Sequence, residues 1–276
     1  MAPSDVLTLE TEGHLATLWL DRPEARNAMG PAFWADLPVV MAEVSADPEV
    51  RVVVIAARGP QFSVGLDLKS MGGILSGGGG GAGPTSAGAR AAAIRAGVLD
   101  MQGSINAVAD CPKPVIAAVH GYCIGGGVDL IAACDIRLAS ADALFSVRET
   151  KMAIVADLGS LQRLPRIIGK GQVAELAFTG KDITAARARE IGLVNEVFPD
   201  VDSLLAGARA LAGEIAANSP LVVQGTKAVL TACEDRTVAE GLDYVATWNA
   251  GFLQTDDLVE AMTAFMEKRP PNFTGR

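Results

Sequence analysis

The chain has 276 residues, 50% hydrophobic and 20% charged, with a net charge of −9. That balance fits a folded chain rather than a disordered one, and the acidic excess argues against nucleic acid as a main partner, because phosphate binding needs a basic surface. No apolar run approaches the roughly 20 residues needed to cross a bilayer, so no membrane span is expected.

The opening MAPSDVLTLETEG has neither a basic stretch nor an apolar stretch of a secretory leader, and the closing FTGR is not a peroxisomal address. A cytoplasmic protein is therefore expected. Cys111, Cys123, Cys134 and Cys233 form no CxxC pair and show no ligand spacing with His14 or His120. They read as buried thiols of a reducing compartment, with no metal site.

In chain order, Val6–Glu10 and Leu15–Leu20 flank a Glu-Gly turn and predict a hairpin. Asp21–Met29 breaks the pattern, and a helix over Pro31–Ser45 follows, with proline early. Arg51–Ala57 is a short continuous apolar run, the signature of a strand buried on both faces. Residues Gly72–Gly88 are glycine-rich and read as a surface loop, or as a lid or wall of a pocket. Ala89–Ala109 reads as a helix. The same grammar then recurs: a buried strand at Val115–Val119, glycines at Gly125–Gly127, and a helix to about Ala133. Ile136–Ala139, Leu144–Val147 and Val194–Phe198 predict further strands, with parallel pairing from the crossover lengths. Beyond Asp200 the pattern is helical: Val201–Ala217, Pro220–Cys233, Thr237–Phe252 and Asp256–Lys268, the last with Leu258, Met262, Phe265 and Met266 near one face. The fold class is α/β, with residues 1–200 as the core and 201–276 as a helical appendage.

Two glycine loops follow buried strands. In HGYCIGGGVDL the glycines open a helix, whose first amides lack partners and face the positive end of the dipole. In FSVGLDL, Gly65 precedes Leu66. Two such loops at neighbouring strand ends could aim one N–H each at a single oxygen, an oxyanion hole made of backbone. Two tight strand-to-helix turns explain each loop equally well. The GxGxxG spacing of dinucleotide folds is not followed cleanly.

Together these segments are recognisable. Cys111–Ser140 (CPKPVIAAVHGYCIGGGVDLIAACDIRLAS), FSVGLDL, DRPEARNAM, LQRLPRIIG, FTGKDITAARAREIGLVNEVF and FMEKRPPNF resemble the crotonase, or enoyl-CoA hydratase/isomerase, superfamily over nearly the whole chain. The resemblance implies a crotonase-like spiral of ββα units with a C-terminal helical trimerisation region, assembled as a homotrimer or hexamer. It implies an acyl-CoA thioester as substrate, with coenzyme A part of that substrate and no separate cofactor. It also implies that the N–H groups of Leu66 and Gly126 bind the thioester oxygen. Arg26, Ala28 and Lys268 match positions at the CoA moiety, Lys268 from a neighbouring subunit.

Three carboxylates sit among apolar residues: Asp129 on the helix after the glycines, Glu149 after the strand, and Asp157 in VADLGSLQRLP. Read alone they are a helix-face Asp, a strand-end Glu and an Asp capping the next helix. The resemblance supplies a joint role. Hydratases carry Glu at the first two positions and Gly at the third, whereas Asp129, Glu149 and Asp157 resemble the set of the Δ3,5-Δ2,4-dienoyl-CoA isomerases, enzymes of fatty-acid β-oxidation. On that reading Glu149 takes a proton from C2 and Asp157 delivers one to C6, or the two roles are reversed, and Asp129 raises a partner's pKa. The alternatives are a 2-enoyl-CoA hydratase and a catalytically inactive CoA-ester-binding protein. His120 reads as a structural hydrogen bond at a strand end, and Trp34 and Trp248 as packing residues.

Overall fold

The computed structural model describes residues 4–72 and 86–276. The Gly72–Gly88 loop expectation lies outside the described residues except at its two ends. At the second end, Ser86 accepts a hydrogen bond from the amide of Ala89 and caps a helix.

Strands β1 (Leu7–Glu12) and β2 (Leu15–Leu20) form the expected antiparallel hairpin. Helix α1 (Pro31–Ala46) leads to β3 (Val52–Ala57), and α2 (Ala87–Ala109) leads to β4 (Val115–Val119). Then come β5 (Tyr122–Ile124), α3 (Gly126–Ala132), β6 (Ile136–Ser140) and β7 (Leu144–Ser146). Helices α4 (Ser160–Ile167) and α5 (Lys170–Thr179), strand β8 (Ile183–Thr184), helix α6 (Ala185–Glu190) and strand β9 (Glu196–Phe198) complete this part. The main sheet has the order β1-β2-β3-β4-β6-β9, parallel from β2 onward, and β5-β7-β8 form a second, smaller sheet. Two turns of the chain, β4-β5-α3 and β6-β7-α4, run from the main sheet to the small sheet and on to a helix. This is the expected spiral of ββα units.

Strand β3 shows why its sequence is apolar throughout. Side chains alternate faces along a strand. Val53, Ile55 and Ala57 enter the larger core, while Val52, Val54 and Ala56 enter a smaller one on the opposite face. Each such fully buried Val or Ile contributes about 1.5–3 kcal/mol. The smaller core is closed by Leu204, Ala208 and Ala212 of α7 (Val201–Ala216). The expected division at residue 200 assigns this helix to the appendage, but it packs on the sheet. The packing boundary falls between α7 and α8 (Pro220–Cys233).

Helices α8, α9 (Val238–Phe252) and α10 (Asp256–Glu267) form the tail. Trp248 of α9 packs where a side chain on Gly225 of α8 would sit. The tail is tied to the core by Lys227 Nζ to Asp135 Oδ2 at 2.7 Å and by Arg166 to Glu234 and Asp235. On α10 the apolar face is uncovered: Leu258, Met262, Phe265 and Met266 are all exposed, Phe265 at 85%. Among the described residues no helix is long and apolar enough to cross a membrane.

Candidate functional site

The first half of the site is made by two loops laced together. Asn27, buried and held at φ 53°, accepts the amide of Arg22 at 2.8 Å and donates to the carbonyls of Arg58 (3.0 Å) and Gln61 (2.8 Å). Its own carbonyl accepts from the Ser63 hydroxyl at 2.8 Å. The amide of Met29 donates to Gly65 O at 2.8 Å, and that of Asp67 donates to Met29 O at 3.0 Å. A parallel bridge of this kind uses the groups of residues 65 and 67, so the N–H of Leu66 between them faces the other way. That other side is the glycine turn before α3. Gly65 has φ +81°, and a Cβ there would lie 2.7 Å from Ile124 O and 3.3 Å from Gly126 N. Only glycine permits that approach. Gly126 is the first residue of α3, where an amide has no intrahelical acceptor. The Gly65 backbone that leads into Leu66 therefore lies against the backbone at Gly126.

The second half is acidic. Asp129, in the first turn of α3, is 1% exposed, and its Oδ1 accepts the Ser160 amide at 2.6 Å. Burial pushes its pKa up to about 6, opposed by the Ser160 bonds and reinforced by the charge of Asp157. Glu149 begins a short 3-10 turn (Glu149–Met152), and its Oε1 lies 3.0 Å from where a Cβ on Gly125 would be. Burial pushes it up to about 7, and the charges of Asp129 and Asp157 add to that. Its Oε2 is buried with no hydrogen-bond partner among the described residues. Asp157 is half-buried, and its pKa is raised by burial. It does not cap α4: that position belongs to Gly159. The Asp157 carbonyl instead accepts Gln102 Nε2 at 2.6 Å. The charge of Asp157 bears on Asp129 and Glu149, that of Asp129 bears on Glu149, and Glu149 lies against the glycine turn that carries Gly126.

Sequence reasoning missed several supports. Arg22 and Asp67 pair at 2.8 Å, and the guanidinium is the main reason that the Asp67 carboxyl is held down at about 2. Asn27 and Gln102 carry no signal of their role, and Ser160 is marked in the sequence only as a serine without a matching base, not as a partner of Asp129. Their partners are 31 or more residues away, apart from the Arg22 amide that Asn27 accepts, so no short motif reveals them. His120 bonds Gly59 O through Nε2 at 2.8 Å, the structural contact expected of it. Arg26 and Ala28 lie on the loop that carries Met29, Arg26 exposed and Ala28 half-buried. Lys268, exposed at the end of α10 with φ 55°, is not brought to them. Its segment is fastened through Phe273 O to Arg51, at the opposite end of β3 from the Phe62–Leu68 loop.

Fold and site define a spiral α/β scaffold with two glycine loops packed together beside the acids Asp129 and Glu149. The chain belongs to the enoyl-CoA hydratase/isomerase family, whose profile matches residues 10–276. It is 42% identical over 269 residues to the peroxisomal Δ(3,5)-Δ(2,4)-dienoyl-CoA isomerase of Arabidopsis thaliana, covering 98% of this chain and 96% of that one. It is 45% identical over 261 residues to the mitochondrial enzyme of that name from Homo sapiens, covering 93% and 77%. Among solved structures, an enoyl-CoA hydratase from Bacillus anthracis superposes with a TM-score of 0.89 at 31% identity, covering 99% and 100%. These relatives correct the expectation of a cytoplasmic protein. Those that share the isomerase name are designated peroxisomal or mitochondrial. The expectation rested on leader and address patterns, which are read by receptors and leave no mark on the fold.

Proposed function

We propose that this protein isomerises a 3,5-dienoyl-CoA to the 2,4-dienoyl-CoA. The observation that carries the reading is the Glu149 carboxyl against the Gly125 turn, its Oε1 3.0 Å from where a Cβ on Gly125 would be, with Asp129 on the helix which that turn opens and burial pushing the two carboxyls up to about 7 and 6. The relatives named for this reaction support it.

The thioester oxygen accepts from the N–H groups of Leu66 and Gly126, which stabilise the negative charge as it develops there. The Glu149 carboxylate removes the proton from C2. The electron pair left behind delocalises through the enolate and the diene as far as C6. Asp157, protonated, delivers its proton to C6, which leaves double bonds at C2 and C4. Half-burial raises the pKa of Asp157 and so favours its protonated form, and Glu149, pushed up to about 7, is suited to take a proton at neutral pH. Asp129 supplies a like charge that keeps its neighbours' proton affinity high. Arg26 and Ala28 take the CoA moiety, and Lys268 reaches it from a neighbouring subunit of a homotrimer or hexamer. Coenzyme A enters as part of the substrate, with no separate cofactor.

The test supplies a 3,5-dienoyl-CoA and follows the absorbance of the conjugated 2,4-diene, alongside crotonyl-CoA with water. Wild type is expected to form the diene and to leave crotonyl-CoA essentially unhydrated. Asp157→Asn is expected to lose at least about 100-fold in kcat while still binding CoA esters. Hydration of crotonyl-CoA without diene formation would make the protein a hydratase, and binding without either reaction would make it an inactive CoA-ester binder.

A further inference from the structure

We propose that Ser160 is a positioning residue for Asp129, its amide and hydroxyl together holding that carboxyl as the ionised member of the cluster. The inference rests on the isomerase reading, because it concerns where the cluster keeps its single working proton.

Asp129 is almost fully buried, and a buried carboxylate is costly unless donors meet it. One donor is the Ser160 amide, 2.6 Å from Oδ1. The turn at Gly159, φ +126°, presents that amide at the start of α4. The Ser160 hydroxyl is also buried and has no hydrogen-bond partner of its own among the described residues. It belongs to the same residue whose amide meets Oδ1, and its presence lowers the Asp129 pKa. A buried hydroxyl with nothing else to bond is an available second donor.

The other groups facing Asp129 do not replace it. Asp157 and Glu149 carry like charge and raise its proton affinity or have theirs raised by it. The Cys123 thiol on β5 is pushed well up by burial and remains neutral. Arg163 on α4 favours the charged form of Asp129, but its guanidinium is engaged by Asn106 Oδ1 at 2.5 Å and by Leu158 O at 3.5 Å. Without the Ser160 hydroxyl, Asp129 competes for the proton that Asp157 must deliver. The fraction of enzyme with base ionised and acid protonated then falls.

Ser160→Ala and Ser160→Thr, made in the full chain, are assayed on a 3,5-dienoyl-CoA across pH 5.5–9. For Ser160→Ala, kcat is expected to fall about tenfold near neutral pH with little change in KM, and the acid limb of the profile to move up by about one pH unit, the size of one lost charge-assisted bond. Ser160→Thr, which keeps the hydroxyl, restores both. A Ser160→Ala profile that overlays wild type, or a loss equal at every pH that threonine does not rescue, overturns the proposal. If the alanine variant does not fold, Ser160→Cys must show the same upward shift, and its absence overturns the proposal equally. A wild-type protein inactive on the diene would refute the isomerase reading alone. The Asp129 carboxyl is therefore also titrated by 13C NMR: a higher midpoint in the variant is expected, and equal midpoints overturn the role of Ser160.

Discussion

At the scale of single residues, Asn27 shows how a site depends on a side chain that does no chemistry. Its amide oxygen and nitrogen close three bonds across two loops, and Ser63 closes a fourth on its carbonyl. Asn27→Ala leaves buried carbonyls and an amide unpaired and is expected to cost about 2–4 kcal/mol, read as a fall in the thermal midpoint together with lower kcat. An unchanged midpoint would show the loops to be held elsewhere. Glu149 carries an opposite lesson. Its pKa is raised from 4.5 to about 7, chiefly by burial, so the folded state holds a proton that the unfolded chain releases. Below about pH 4.5 the residue costs nothing, and as pH rises towards 7 it progressively destabilises the fold. Glu149→Gln is therefore expected to raise the thermal midpoint by a few degrees at pH 8 and not at pH 4, measured by calorimetry. Equal midpoints at pH 8 would mean that the carboxylate is well solvated. Asp129, Glu149 and Asp157 stand out as acids among apolar residues, but read alone they are three separate polar groups, and only the family resemblance supplies a joint role. The structural roles of Asn27 and Ser160 are not legible, since their partners lie 31 or more residues away, apart from the Arg22 amide, and polar residues in turns are ordinary.

At the scale of elements, the long apolar strands are legible and the short pieces are not. Strands β3 and β4 announce themselves as continuous Val, Ile and Ala runs, which only burial on both faces explains. Strand β5 has three residues and β8 two, too few for any period to register. Helix α7 was assigned to the tail because its sequence is helical like its successors, yet its face of Leu204, Ala208 and Ala212 fits the sheet. The glycine turns are legible, and the sequence allows them to meet at one oxygen; the contact of Gly65 with the turn at Ile124–Gly126 is what the structure adds. Gly65→Ala tests it: the added methyl would meet Ile124 O at 2.7 Å in a backbone conformation with φ +81°. Displacing the Leu66 amide is expected to lower kcat by about 100-fold or more. A kcat within twofold of wild type would remove Leu66 from the oxyanion site.

At the scale of the whole molecule, the tail carries more apolar surface than one chain covers. Leu242, Val259, Met262, Phe265 and Met266 are all more than half exposed. Such patches mark association surfaces, and the separation of Lys268 from Arg26 and Ala28 within one chain agrees with a site completed between subunits. Sedimentation velocity is expected to give a trimer or hexamer, and Phe265→Asp with Met266→Asp to give smaller species with weaker CoA-ester binding. A wild-type monomer with full activity would contradict this. The compartment was not legible at all, because an address is not part of the packing that the rest of the sequence encodes.

The most direct test of the proton path runs the reaction in D2O with Asp157→Asn. With Glu149 and both amides intact, the variant is expected to exchange the C2 hydrogen of a 3,5-dienoyl-CoA for deuterium while forming almost no 2,4-diene. Diene formation at the wild-type rate, with deuterium delivered to C6 as before, would contradict the account.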